Sequence, residues 1–489
     1  MREAAYATLT DADRALGHLL AGEWLEAAGE RDAALLADHF ERGGDAERAV
    51  IWFRRAAEQA LGANDFRAAI QRAEQGAASA DVDGELFAAL RLVQAEAHKW
   101  LGEAAEAERC AVMAMNGFPR KSALWYAAAA EAASMRVRLG MGERLADLVD
   151  ELRGGRPSGE RGGPPDLLDE ATGASVSALA RIAGSLLHGG QYAAAEEIVQ
   201  ELARVAMPLA ERDAAVAARL HALRASQALC YGDPAASLEW TEQSIPAYLQ
   251  TGDIRNACLS RVNAAHCLVQ LGAYGRAEAE LRDALAEAER LGLYNVAAFA
   301  KQNLGLLWIQ QGDLGAARAV TAEAVEAFAA QANRRQEARS RAYLAAILTR
   351  LGSLGAADNE AGAAVAMLAH VPTLQALALA VRARVLLEQG RAHEALEAAR
   401  RGLGLLVSVG GTEEGEAQIR LVYAESLRAA GHHDAAREAI AVAMQRLVAR
   451  AQWIRDPARR QSFCQGVPEN AKTFALAALW QQEAEPTLQ

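Results

Sequence analysis

A glycine returns about every forty residues along most of this chain. The positions are Gly102, Gly142, Gly190, Gly232, Gly272, Gly312, Gly352, Gly390 and Gly431, with successive gaps of 40, 48, 42, 40, 40, 40, 38 and 41. A fixed period of this length is the mark of a repeat architecture, in which each unit is one supersecondary motif stacked on the next. A chain of 489 residues would otherwise suggest about three ordinary domains. Stacked repeats escape that limit, because every unit contacts only its neighbours. The one long gap contains the only evident linker, GGRPSGERGGPP at 154–165.

The repeats keep register as well as spacing. Seven residues before Gly272 stands Ala265; two after it stands Tyr274, five after Ala277 and twelve after Ala284. The same offsets give Gly305, Leu314, Ala317 and Ala324 around Gly312, and Ala345, Leu354, Ala357 and Ala364 around Gly352. They give Ala424, His433, Ala436 and Ala443 around Gly431, and Ala95, Ala104, Ala107 and Ala114 around Gly102. Each unit therefore reads as two amphipathic helices joined by a tight turn. The glycine closes the first helix in a left-handed conformation. The small residue seven before it lets the second helix approach closely. The large residue after the turn, where present, fills the gap. The two alanines, seven apart, share one face of the second helix and admit the next repeat. The Gly232 unit departs from the pattern, with Asp233-Pro234 after the glycine and Ser237 and Ser244 at the alanine positions.

Composition agrees with helices. The chain is 52% hydrophobic but only 5% aromatic, with 11 prolines, so its apolar share is mostly Ala and Leu, which favour helix over strand. The net charge of −12 argues against wholesale binding to nucleic acid or anionic membrane. Five cysteines without a CxxC suggest reduced thiols in a cytoplasmic protein. No apolar run has the length of a signal peptide or a membrane span.

The small–Gly–Tyr/Leu–Ala–Ala pattern resembles the tetratricopeptide repeat, with a unit of about 40 residues in place of 34. The resemblance implies an all-α, right-handed superhelical solenoid of helix-turn-helix repeats, ten to twelve helix pairs long. The segments expected are an N-terminal helical module over 1–153, the linker at 154–165, a repeat array over 166–449 and a capping segment over 450–489. The N-terminal stretch LADHFERGGDAERAVIWFRRAAEQA (Leu36 to Ala60) resembles the segment that opens the repeat region of bacterial STAND-type signalling ATPases and transcription regulators. The stretch DPARRQSFCQGVPENAKTFALA (Asp456 to Ala477) resembles the segment that closes such arrays: a helix stop, then a capping helix begun near Pro468. Arg2 to Thr8 looks like the tail of an upstream domain. In that family an ATPase, and in some relatives a Ser/Thr kinase or adenylate cyclase, accompanies the repeats. Here no phosphate loop ending in Gly-Lys-Ser/Thr occurs; the nearest string, Gly117 to Ser122, lacks the glycine before the lysine. Kinase signatures are missing as well.

No other constellation argues for chemistry. Cys258 and Cys267 lie nine apart on one expected helix, too far to ligate a single ion directly, and His266 beside them reads as packing. His432 and His433 read as packed turn histidines, and Trp24, Trp52, Trp100, Trp125 and Trp308 as core. Glu413-Glu414-Gly415-Glu416 reads as a solvated helix start, where negative charge suits the helix dipole. Neither a cofactor, nor a metal, nor a catalytic residue is expected.

In a tetratricopeptide solenoid the first helix of each pair lines the concave face. The positions 13, 10, 6 and 3 before the turn glycines place His266, Phe299, Gln302, Arg339, Arg384, Gln418 and Arg428 in a candidate groove. Its floor is apolar over 259–309 and becomes arginine-bearing at Arg339, Arg384 and Arg428. Such a groove suits an amphipathic or acidic protein or peptide segment, although superhelix closure would bury several of these positions. The expected function is a non-catalytic interaction scaffold or sensor in bacterial signal transduction or transcription regulation, acting on an ATPase or kinase in cis or in trans. The alternatives are a small-molecule inducer sensor inside the superhelix, or the C-terminal fragment of a kinase or ATPase.

Overall fold

The computed structural model describes residues 6, 8–78, 84–153 and 172–483. Every regular element among them is helical. The protein is an all-α array of tetratricopeptide-like helix hairpins. The linker at 154–165 lies outside the described residues. The chain divides into two compact units, one drawn from residues 1–135 and 168–178 and the other from 136–167 and 179–489.

The period of forty has a simple origin. Helices Ile254–Gln270, Tyr274–Arg290, Pro234–Gln250 and Arg334–Arg350 each hold 17 residues. Turns of about three residues join them, so each helix and turn advances the chain by about twenty. Relative to the standard repeat, the extra length has gone into the helices. Eight of the nine periodic glycines are left-handed, with φ between 75° and 88°. The exception is the second. Gly142 instead begins helix Gly142–Leu152, and the left-handed turn residue is Gly140, φ 71°. The turns between repeats obey the same rule at Gly252 and Gly292, but Ala332 stands at the next equivalent position, φ 52°.

The packing seams follow the register. Ala265, Ala345, Ala424 and Ala95, seven before the turn, are fully buried. So are Ala277 and Ala284, Ala317 and Ala324, Ala357 and Ala364, and Ala107 and Ala114. Gly305 is the tightest of these positions. A methyl group there would lie 2.1 Å from Thr321 Oγ1 on the paired helix Leu314–Ala330. At the irregular Gly232 unit, Ser237 and Ser244 are buried as the alanines are. They keep their hydroxyls satisfied: Ser244 donates to the Thr241 carbonyl at 2.8 Å, and Ser237 accepts from the Cys267 thiol.

In the first unit, Leu36, Phe40, Trp52, Phe53 and Ala56 form one core cluster. Trp100 and Trp125 are buried as expected, but Trp24 is 69% exposed. It shares a stripe with Leu16 and Leu20 at four-residue spacing, the face of helix Asp11–Ala27 turned away from the core. In the second unit, Trp308 is half-buried against a cluster that includes Ile309, Tyr343, Ile347 and Leu377. His432 and His433, expected to pack, are exposed; the turn they follow lies at the surface, and Ala436 begins the buried face of helix His433–Trp453. The closing segment behaves as its resemblance implied. A helix runs from Pro468 to Gln482 and lays Ala477 and Trp480 on Leu421, Ala424, Leu427 and Ile440.

Candidate functional site: an acidic strap held by the repeat helices

Within the second unit, the turns between Ile254 and Val409 hold two to four residues. The next connection, 410–415, holds six. It is bracketed by left-handed glycines, Gly410 (φ 76°) and Gly415 (φ 79°). Between them the chain crosses the faces of the preceding first helices as a bent strap. Glu413 and Glu414 are 3% and 6% exposed, and Thr412 and Glu416 are equally buried. Glu416 does begin helix Glu416–Ala429, but the helix start is not solvated. The basic side chains facing it are why.

Two arginines one turn apart on helix Arg334–Arg350 take the two glutamates. Arg335 pairs with Glu413, and Arg339 donates from Nε to Glu414 at 2.5 Å. Tyr343, a further turn along, donates its hydroxyl to Glu414 Oε2 at 2.6 Å. His188 reaches Glu413 at 3.5 Å, and Gln270 donates to the Glu413 carbonyl at 3.2 Å. Thr412 donates to the Glu414 carbonyl, which holds the strap's own bend. A side chain at Gly415 would be strained by its left-handed backbone (φ 79°) and would push the end of the Leu377 side chain aside.

Burial alone would raise the pKa of both carboxylates. The guanidiniums of Arg335 and Arg339, with the hydrogen bonds from His188 and Tyr343, reverse that and hold Glu413 well below, and Glu414 below, the ordinary glutamate range. His266 is pushed the other way, down to about 4, first by burial and then by Arg339. Its hydrogen bonds agree. Nε2 faces two groups that only donate, Gln270 Nε2 at 2.9 Å and Arg339 Nη2 at 3.1 Å, so it is the lone-pair nitrogen. Nδ1 then carries the proton and donates to Asn303 Oδ1 at 3.2 Å. His266 is therefore a neutral spacer between the repeats and the strap.

Glu416 is crowded by cations: Arg420 at 2.9 Å, Arg446 at 3.1 Å and Arg450 at 3.8 Å. Arg450 also donates to the Gly232 carbonyl at 2.7 Å, which ties the end of the array to its start. Further ties are Ser462 to the Gly272 carbonyl and Tyr274 to the Gly466 carbonyl. Beside the strap lies a partly open cavity of about 120 Å³. Its wall is apolar, from Val269, Leu306, Ile309, Leu377, Val381 and Phe463, and its polar lining includes Tyr343, Glu414, Glu416, Gln418 and Arg450.

The seven groove residues are dispersed by this arrangement. His266, Gln302 and Arg339 are buried. His266 and Arg339 meet at the strap, while Gln302 donates to Ser340 and the Gln336 carbonyl. Gln418 lines the cavity. Phe299 packs edge-on against Phe328 in a helix seam. Arg384 is paired with Glu425, and Arg428 with Glu483 at 2.9 Å while lying over the Trp480 ring. Arg335 and Tyr343 carry no mark in the sequence, and Glu413 and Glu414, which read there as a solvated helix start, are buried. The over-long, acid-bearing 410–415 connection was the available signal for them.

His188, Cys230 and Glu413 bring a ring nitrogen, a thiol and a carboxylate within 4.8 Å of one another. Glu413 is already neutralised by Arg335, and burial pushes the Cys230 thiol far above its ordinary pKa. A protonated thiol and a paired carboxylate make a poor donor set for a metal ion. Among the described residues no helix is long and apolar enough to cross a membrane.

No family model and no curated protein matches the chain. Solved structures similar to it are helical-repeat proteins. A Rap protein complexed with Competence and Sporulation Factor matches at TM-score 0.49 and 12% identity, over 73% of this chain and 98% of that one. The hetero-tetramer Cut9–Hcn1 of the APC/C matches at 0.44 and 14%, over 96% and 93%. A STAND protein with a tetratricopeptide repeat sensor from Pyrococcus horikoshii matches at 0.44 and 14%, over 83% and 65%. Likenesses at these identities and scores transfer no function.

Proposed function

We propose that this protein is a non-catalytic, tetratricopeptide-like interaction module of a bacterial signalling or transcription regulator, which recognises a protein segment rich in carboxylates. One observation carries the reading. The repeat helices already bind a short acidic segment, their own strap, through two guanidiniums one helical turn apart and a tyrosine hydroxyl. Paired arginines suit carboxylates because the planar guanidinium offers several donors in fixed geometry. The N-terminal and C-terminal resemblances to STAND regulators support the signalling context. In that context partner binding shifts the equilibrium between two states of an associated ATPase or kinase.

The test is reconstitution. A partner captured by the purified chain should bind it again from purified components, saturably and in fixed stoichiometry, without substrate turnover. Saturable turnover that is lost on mutating a residue of this chain would overturn the reading.

A second reading, an effector sensor, draws on the cavity beside the strap. Its apolar wall and its polar rim at Tyr343, Glu416 and Arg450 match the mixed lining usual for small-molecule sites. Calorimetric titration with small metabolites, with Leu306→Trp as the blocked control, separates it from the first. Saturable heat in the wild type alone would support it; equal responses from both would contradict it.

A further inference from the structure

We infer that the segment Gly410–Glu416 is an intramolecular stand-in for the partner, and that a protein segment bearing two adjacent carboxylates competes with it for Arg335 and Arg339. The inference rests on the interaction-module reading and adds the state of the site: the resting chain occupies its own groove.

Three observations lead to it. First, the strap is inserted into the repeat pattern. The connection is six residues where the preceding turns are two to four, and left-handed glycines at both ends supply hinges. The preceding turns reverse the chain with one left-handed residue at most, as at Gly352 and Gly390, so the second one, Gly415, is the addition. Secondly, the contacts are of a transferable kind. Glu413 and Glu414 are held through their carboxylates, and Gln270 binds a main-chain carbonyl. Any chain carrying two neighbouring acidic side chains that can adopt the strap's bend presents the same groups. Thirdly, the strap leaves the site incompletely satisfied. Arg335 Nε is buried without a hydrogen-bond partner, in a residue only 6% exposed. A buried polar atom left unpaired is costly. A competing carboxylate that also reaches this donor gains over the strap.

The energetics permit exchange. A buried ion pair adds little net stability over its separated, solvated ions, because desolvation offsets much of the attraction. Losing both glutamates at once is a different matter from exchanging them for two others, since exchange leaves no guanidinium unpaired.

The probe is a labelled synthetic peptide with the strap's own sequence, Val409 to Gln418, added to the full chain. In wild-type protein the tethered strap competes at high effective concentration, and binding should be weak. In the full-length variant E413Q/E414Q the strap loses its charge, and the peptide should bind at least about tenfold more tightly. Adding Arg339→Met should abolish the gain. A variant that keeps the wild-type circular dichroism yet binds no more tightly would overturn the inference. Should E413Q/E414Q fail to fold, hydrogen exchange on the wild type decides. Millimolar peptide should accelerate exchange at 411–416 specifically, and unchanged exchange there would overturn the inference. Failure of the module reading looks different. A reconstituted partner that binds wild type and E413Q/E414Q equally would leave the module standing and remove the stand-in, whereas absence of any protein partner would remove both.

Discussion

The seam at Gly305 and the strap at Glu413–Glu414 lie in the same unit and are equally shut off from water, yet they are held by opposite means. At Gly305 everything depends on the absence of atoms: a glycine faces Thr321, and two helices close on each other. At the strap everything depends on charge: two carboxylates are buried because two guanidiniums and a tyrosine hydroxyl receive them. The first kind of contact repeats every forty residues and builds the array. The second does not follow the period: it joins a connection to helices far away in the sequence. Repeats stacked by shape alone tolerate local variation, as Ser237 and Ser244 show at the Gly232 unit. A buried charge cluster does not, because each member left alone keeps its full desolvation cost.

The comparison can be broken at either end. The largest effect is expected at the strap: Arg339→Met strands Glu414 and should lower the stability of the second unit by about 3–5 kcal/mol in chemical denaturation. A loss below about 1 kcal/mol would show the cluster to be solvated in solution. Gly305→Val should cost about 1–3 kcal/mol through overpacking, and Thr321→Ala in the same chain should recover at least half. Absence of rescue would mean that the seam strain lies elsewhere.

Protonation sharpens the contrast. His266 is neutral in the folded chain with its pKa near 4, whereas an unfolded histidine titrates at about 6.5. The unfolded state therefore binds the extra proton between pH 4 and 6.5, and folding weakens as pH falls through that window. Its share of the slope is up to about 1.4 kcal/mol per pH unit, and His266→Asn should remove it. Glu413 and Glu414, with depressed folded pKa values, contribute stability that is present above about pH 4.3, the ordinary glutamate value, and lost below it. E413Q/E414Q should flatten the acid limb instead. A common slope for all three proteins would contradict the assignment of charge. The smallest effect belongs to a turn. Ala332→Gly relieves a left-handed alanine and should stabilise the array by up to about 1 kcal/mol, measured as a rise in Tm.

What was legible in the sequence follows the same division. The period, the small residue at −7 and the alanines at +5 and +12 are local. Gly305 meets Thr321 only sixteen residues away, so spacing alone exposes the contact. The exceptions are local too: Gly140 replaces Gly142 as the left-handed residue two positions upstream, and Trp24 and His433 sit on faces whose exposure depends on which neighbour covers them. The strap is not local. Glu414 meets Arg339 across 75 residues and Glu413 meets His188 across 225. No periodicity connects such partners. A run of glutamates before a helix looks the same whether water or arginine awaits it. Arg339 was readable as a member of the expected groove, and it does meet a carboxylate, Glu414 of this same chain. That the chain supplies such a segment itself was not, since Arg335 falls outside the groove register and the length of the 410–415 connection was the one local irregularity.

The most direct test of the central claim, that the repeats grip the strap through charge, is a double-mutant cycle between Arg339 and Glu414. Stability is measured for wild type, Arg339→Met, Glu414→Gln and the double variant under one set of conditions. A gripped strap predicts a coupling energy of about 1.5 kcal/mol or more, with the double variant less damaged than the two single losses added together. Losses that add to within about 0.5 kcal/mol would show that the two side chains act independently, and the account of the strap would fall.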